Sequence, residues 1–381
     1  MKAHESSPNK RRLMVTLVAV VVAAGALVAA VQLAPSEKLA PSEKKATPVA
    51  AATPPESLPS EVPAVLNEPA KVPEQPGQEL DAWAITTSLW LDIPLRAMLG
   101  YAKTTVSLGK EQPDCHLSWI TLAAVGKTTT DHGRANGSQI GTDGVPTKAI
   151  GTVELRDFYG KVISTANAAG PMQLTPALWA KWQKSASGGK PDLQNIDDAS
   201  LTAGRALCAD HRNLSKGSDW WSAVTSLQSA PLFLHRTLAT ANVYGTVGKN
   251  ADAPNPKVLN AVNFAISKIG LPYVWGGNGT GGSDPGFDCS GLTTAAYASA
   301  GITLKRTADT QFRSVFAVPA GSEPALGDLI FYGEPRTNIH HVGLYIGNQQ
   351  MIDAPTEGQA VQVHTYRKPG DDYAGAGRPA N

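Results

Sequence analysis

Cys289 stands where Gly286-Phe-Asp-Cys-Ser-Gly-Leu292 passes into an apolar run, Leu292–Ala300. Gly286 supplies a turn, and the run after it reads as a helix. A thiol at a helix N-terminus faces oriented backbone amides, which favour the nucleophilic thiolate. Such a nucleophile needs a base within hydrogen-bond reach. His341 opens the alternating stretch His-Val-Gly-Leu-Tyr-Ile-Gly347. On a strand, His341, Gly343 and Tyr345 share one face, while Val342, Leu344 and Ile346 share the other. The apolar face belongs to a core, so His341 faces a cleft and His340 points the other way. The pair predicts acyl transfer through a thiolate.

Several elements must position that pair. The chain has 381 residues and a mass of 39.8 kDa, enough for two or three domains. Hydrophobic residues make up 42%, which is sufficient for real cores. The net charge of +1 argues against a nucleic-acid binder, which would carry a basic excess. Three cysteines exclude a disulfide-dense scaffold and an all-cysteine zinc site, which needs one more thiolate than the chain has. The histidines show no ligand-type cluster beyond His340-His341, whose side chains diverge on a strand. No metal and no cofactor is expected.

Residues 1–12 carry Lys10, Arg11 and Arg12, and residues 13–33 are an uncharged, largely apolar run. A 21-residue helix of this kind spans roughly 30 Å of hydrocarbon. Its length favours a retained transmembrane anchor, while Val28-Ala29-Ala30 is compatible with a cleaved secretory signal. The basic side then stays in the cytoplasm and the rest lies outside. Ten of the 45 residues from 34 to 78 are proline, and Leu-Ala-Pro-Ser-Glu-Lys occurs twice in succession from Leu33. This segment is expected to be an extended stalk or a plain disordered linker.

Helical periodicity resumes near Leu80, and 79–245 reads as mostly α. Asn195-Ile-Asp-Asp198 is a cap signal for a following helix. Cys115 and Cys208 both fall in this region. Outside the cytoplasm a disulfide is favoured over two buried thiols, which leaves Cys289 as the odd cysteine. Residues 246–256 read as a linker, 257–370 as an α+β domain, and 371–381 as a flexible tail.

Three blocks in 79–245 resemble the lysozyme-like domain of bacterial lytic transglycosylases: Asp131-His-Gly-Arg134, Gly170-Pro-Met-Gln-Leu-Thr-Pro176 and Asn195-Ile-Asp-Asp198. That resemblance implies a glycan-binding cleft near Gln173, and a catalytic Glu two residues before Asp131. Thr129 stands there instead. Asp131 would point away from position 129 on a helix, and nothing in the sequence requires Glu154 to reach. Ser226-Leu-Gln228 departs from the family's Tyr-Asn. The module is therefore expected to bind glycan without cutting it, with weak residual cleavage as the alternative.

Leu271-Pro-Tyr-Val-Trp-Gly-Gly277, Phe287-Asp-Cys-Ser-Gly-Leu292, Leu326-Gly-Asp-Leu-Ile-Phe-Tyr332 and His341-Val-Gly together resemble the NlpC/P60 cell-wall cysteine peptidases, a papain-like fold. The family motif also places the base at the residue before Val-Gly. The resemblance implies that Asp353, in Met351-Ile-Asp-Ala-Pro355, orients His341 where the family often has His. It implies that Tyr273 serves the oxyanion or positions substrate, and that Asp288, Ser290 and Arg306 line the substrate's amino end. The implied reaction is hydrolysis of peptidoglycan stem peptides, usually at a γ-D-glutamyl–diamino acid bond. The order of anchor, lysozyme-like module and peptidase resembles wall-opening hydrolases of Gram-positive conjugation systems. That implies a conjugation or secretion partner. The alternatives are a non-catalytic wall-binding scaffold, and an amidase or acyltransferase on the same fold.

Overall fold

Residues 72–73, 77–157, 160–164, 167–250, 252–281 and 285–380 are described by the computed structural model. The apolar run 13–33 and nearly all of the stalk lie outside them. Among the described residues, no helix is long and apolar enough to cross a membrane.

Seven helices build the first region: α1 (Gln78–Leu91), α2 (Leu95–Glu111), α3 (Trp119–Thr130), α4 (Pro176–Trp182), α5 (Ile196–Leu207), α6 (Gly217–Leu227) and α7 (Pro231–Lys249). Local chemistry sets several starts. The Ser118 hydroxyl accepts the Ile120 N–H at the head of α3, and the Asn195 side chain accepts that of Asp197 at the head of α5. Pro176 and Pro231 stand in first turns, where a missing N–H costs nothing. Trp119 through Gly126 are all buried. A helix apolar on every side must be central, and α3 packs against α2, α5 and α7. Cys115 and Cys208 form a disulfide across 93 residues. On the chain-entropy account, closing such a loop stabilises the fold by about 4–5 kcal/mol.

The second region begins with α8 (Pro256–Lys268), α9 (Cys289–Ser299) and α10 (Ala308–Phe312). Six strands follow: β1 (Phe316–Ala317), β2 (Leu329–Glu334), β3 (Asn338–Gly347), β4 (Gln350–Asp353), β5 (Gln362–Thr365) and β6 (Tyr373–Arg378). They form one antiparallel sheet in the order β1-β6-β2-β3-β4-β5. Val342, Leu344 and Ile346 enter the main core, as their alternation requires. Tyr332, Tyr345 and Met351 form a smaller layer on the opposite face.

Two sequence boundaries need correction. The expected tail 371–381 holds a strand, because β6 (Tyr373–Arg378) lies between β1 and β2 and pairs with both. Its Tyr-Ala-Gly-Ala-Gly-Arg composition hides the strand, which is made by pairing on two sides rather than by β-propensity. The segment 246–256 is helical through Lys249. Nor does α7 end at a loose joint, since it packs on β3, β5 and α8. The hairpin between β3 and β4 turns at Asn348-Gln349, both with positive φ (52° and 58°), the twist that suits a two-residue hairpin. Asn242 of α7 hydrogen-bonds Asn348 and Gln350 at that turn. His235 of α7 accepts the Val363 N–H of the edge strand β5 at 3.3 Å. The helical region thus covers a sheet edge that would otherwise present unpaired backbone.

Candidate active site

Cys289 is the first residue of α9 and is partly buried. Asp288 caps the helix by accepting the Gly291 N–H at 2.6 Å. Position 291 must be glycine, because a Cβ there would lie 2.0 Å from the Gly277 carbonyl oxygen.

The candidate base comes from the sheet. His341 on β3 lies opposite Tyr332 on β2, with their rings 5.7 Å apart. Leu344 pairs with Ile352, so continuing that register sets Gly343 opposite Asp353. His341 is then a diagonal neighbour of Asp353 across the strand pair. The glycine makes room for the diagonal contact, since a Cβ at 343 would meet Met351 Sδ at 2.4 Å and Asp353 Cβ at 3.4 Å. This is a physical reason for the sequence His-Val-Gly. His341 Nε2 donates to Asp353 Oδ2 at 2.8 Å, and Cys289 is close enough to act on the same ring.

Electrostatics completes the arrangement. Burial alone would lower the His341 pKa. The hydrogen bonds and negative charges of Asp353 and Cys289 outweigh burial and push it up to about 10. Burial would raise the Asp353 carboxyl, which is 2% exposed. The His364 charge and hydrogen bonds from His341 and His364 instead hold it well below the usual carboxylate range. Tyr273 is pushed up to about 12, first by burial and then by the charges of Cys289 and Asp288, so its hydroxyl keeps its proton.

Arg306 binds Asp288 through both nitrogens (3.0 and 2.7 Å) and donates to the Ser290 hydroxyl at 2.9 Å. Tyr273, Asp288, Cys289, Ser290, Arg306, His341 and Asp353 all line one cleft of about 1180 Å3. Trp275 stands on its rim, 81% exposed. His340 pairs with Asp372 at 2.6 Å and takes no part in the Cys289 contact.

Thr129 and Gln173 line a different, far smaller cavity of about 40 Å3. The Thr129 hydroxyl donates to the Val125 carbonyl at 2.8 Å. The Gln173 amide is spent on backbone: it accepts the Val153 N–H and donates to the Gly151 and Gly170 carbonyls. Asp131 is not helical, contrary to the sequence reading. It caps α3 in the left-handed region and pairs with Lys127 and Arg134. Burial would raise its carboxyl, but those two cations keep it below the usual range. Glu154 reaches the cavity and pairs with Arg156.

Sequence reasoning missed three residues. His364 bonds the second oxygen of Asp353 at 2.7 Å. Gln311 is fully buried and ties α9 to the 305 segment, donating to the Ser290 and Lys305 carbonyls and accepting from Thr293. Tyr332 packs against His341 with the rings tilted by 41° and donates to the Tyr366 carbonyl. His364 left a faint signal, as a histidine just after the alternating Val361-Gln-Val363 of a strand-like stretch, and Tyr332 closes the Leu326–Tyr332 block.

Residues 270–374 match the pattern of the NlpC/P60 family. Over 221 residues the chain is 37% identical to peptidoglycan endopeptidase RipB of Mycobacterium tuberculosis, covering 55% of this chain and 86% of that protein. Over 131 residues it is 38% identical to the γ-D-glutamyl-L-lysine dipeptidyl-peptidase of Bacillus cereus, covering 33% and 38%. Over 125 residues it is 41% identical to murein DD-endopeptidase MepH of Escherichia coli, covering 30% and 44%. The chain thus spans less than half the length of the Bacillus and Escherichia relatives. A partly buried cysteine at a helix head, its histidine on a central strand, and a relative matched over most of its length agree: this chain belongs to the NlpC/P60 family.

Proposed function

We propose that the chain is a cysteine endopeptidase that hydrolyses the stem peptides of peptidoglycan. The observation that carries this reading is the buried Asp353 carboxylate on His341, in one cleft with Cys289 at the head of α9. An imidazolium beside a thiol favours the thiolate, which is the nucleophilic form. The thiolate attacks the scissile carbonyl, and the protonated Tyr273 hydroxyl is placed in the cleft to donate to the oxyanion. His341 gives its proton to the leaving amine, and the acyl-enzyme forms. A water molecule then attacks as His341 takes its proton, which frees Cys289. Asp353 keeps the ring aligned and the imidazolium favoured throughout.

The favoured bond is that between γ-D-glutamyl and the diamino acid. The name of the Bacillus relative supports it. So does the Asp288–Ser290–Arg306 cluster beside the nucleophile, which offers a polar end to the cleft for a free amino group. The helical region is read as a lysozyme-like module that holds a glycan strand. Thr129 and the ion-paired Asp131 leave it without a proton donor, which supports binding without cleavage. The run 13–33 would hold both regions outside the cytoplasmic membrane, where a conjugation or secretion system is the implied partner.

The test is digestion of purified sacculi by the chain from Asp81 onward, with soluble products weighed by mass spectrometry. Stem-peptide fragments that vanish in Cys289→Ala are expected. Anhydro-muropeptides from the parent would overturn the reading of the helical module, and retained sacculus binding with no product would favour the scaffold.

A further inference from the structure

The Asp353 carboxylate is shared between two imidazoles. Oδ2 takes His341 Nε2 at 2.8 Å and Oδ1 takes His364 Nδ1 at 2.7 Å. The strands dictate this. On β5, His364 lies opposite Met351, so it is a diagonal neighbour of Asp353 on the side away from β3. Asp353 therefore has a histidine on each flanking strand, and all three line the same cleft. Asp353 is 2% exposed; Gln362 lies directly opposite it on β5 and donates its amide to Gln359, and its other neighbours on the face are the Met351 thioether and the site of Gly343.

A buried carboxylate needs donors on both oxygens. With His341 alone, Oδ1 would be desolvated and unpaired. The group would gain by rotating toward water or toward the cleft, and either motion draws Oδ2 from the base. We infer that His364 is a positioning residue for the peptidase: its Nδ1–H pins Asp353 Oδ1, which fixes Oδ2 on His341 and so keeps the Cys289–His341 pair charged and aligned. His364 touches neither the nucleophile nor the scissile bond in this account. It acts through Asp353.

Its own position is set from outside the sheet. The preceding residue, Val363, donates its N–H to His235 of α7. The titratable groups that face His364 from packed elements are Asp353 of β4 and His235 of α7. The helical region thus holds the strand that holds the carboxylate.

This inference rests on the peptidase reading, and two measurements separate their failures. Steady-state hydrolysis of a γ-D-glutamyl stem tetrapeptide reads the reaction. The pH dependence of Cys289 alkylation by iodoacetamide reads the charged pair without any substrate. If the parent shows no hydrolysis abolished by Cys289→Ala, the peptidase reading fails, while the alkylation profile still tests His364.

For His364→Ala, kcat is expected to fall on the order of 10-fold or more with KM nearly unchanged, within the range seen when a carboxylate–histidine support is lost. The alkaline limb of Cys289 alkylation should move to lower pH, because a loosened Asp353 no longer holds His341 protonated. His364→Asn places an amide N–H where Nδ1–H was and should recover most of kcat and the parent limb. A parent-like kcat and alkylation profile in folded His364→Ala would overturn the inference. Should His364→Ala fail to fold, His364→Asn decides: the parent limb supports pinning, and a shifted limb in the folded protein overturns it.

Discussion

Two histidines, His132 buried in the helical region and His341 half-buried in the sheet, end in opposite states. His132 lies between the hydroxyls of Tyr101 (3.2 Å) and Tyr244 (3.0 Å) and is fully buried. Burial pushes its pKa down to about 3, so it stays neutral. His341 is half-buried, which also lowers its pKa, yet Asp353 and Cys289 push it up to about 10. Desolvation acts on both rings in the same direction. What differs is the partner: around His132 neutral hydroxyls, with Lys127 and Arg134 outweighing Asp131, leave the desolvation cost in force, and around His341 two anions overcome it. The same contrast separates the two clefts. Around Thr129 the polar groups are spent on backbone carbonyls and ion pairs, whereas around Cys289 they form one chain of charge.

The largest expected effect breaks the peptidase side. Cys289→Ala should reduce stem-peptide release by about 10³-fold or more, since the nucleophile is lost. Asp353→Asn should follow, with kcat down on the order of 10²–10⁴-fold as the imidazolium loses its carboxylate. Rates of peptide release from sacculi measure both, and a loss under about threefold in Asp353→Asn would remove Asp353 from the account.

The helical side should break in stability and not in chemistry. His132→Ala leaves two buried tyrosine hydroxyls without a partner and should cost about 2–4 kcal/mol in urea unfolding. Below the melting range, Cys289-dependent hydrolysis should persist.

The two histidines also give opposite pH signatures. His132 has a lowered folded pKa, so the unfolded chain binds a proton that the folded one refuses. Stability then falls as pH drops from about 6.5 toward 3. His341 has a raised folded pKa, so its contribution is full below about pH 6.5 and is lost as pH rises toward 10. Melting temperature against pH should lose part of its acid limb in His132→Ala and part of its alkaline limb in His341→Ala. The smallest effect concerns the contact between regions. Asn242→Ala frees the β3–β4 turn and should cost about 1 kcal/mol, read as a shift in the urea midpoint.

The proposed nucleophile and base are legible in the sequence because their signals are local. Phe-Asp-Cys-Ser-Gly-Leu is a cap, a first helical residue and a glycine forced by the Gly277 carbonyl, all within six positions. The alternation after His341 fixed its face. Asp353 was legible only through resemblance, since its role depends on the register between β3 and β4. His364 and Gln311 were missed for the same reason: their partners lie on other elements, 11 and 18 residues away. β6 was missed because alternating small residues carry no strand signal until β1 and β2 flank them. The extent of α7 was hidden too, as its last turns are stabilised by packing on the sheet and not by their own sequence.

The central claim is that His341 is held as an imidazolium by Asp353 and Cys289. The direct measurement is an NMR titration of the His341 ring in the parent and in Asp353→Asn. The account predicts a protonated ring until about pH 10 in the parent, and a clear drop in the variant. A parent ring that titrates near the ordinary histidine value of about 6.5, unmoved by Asp353→Asn, would contradict it.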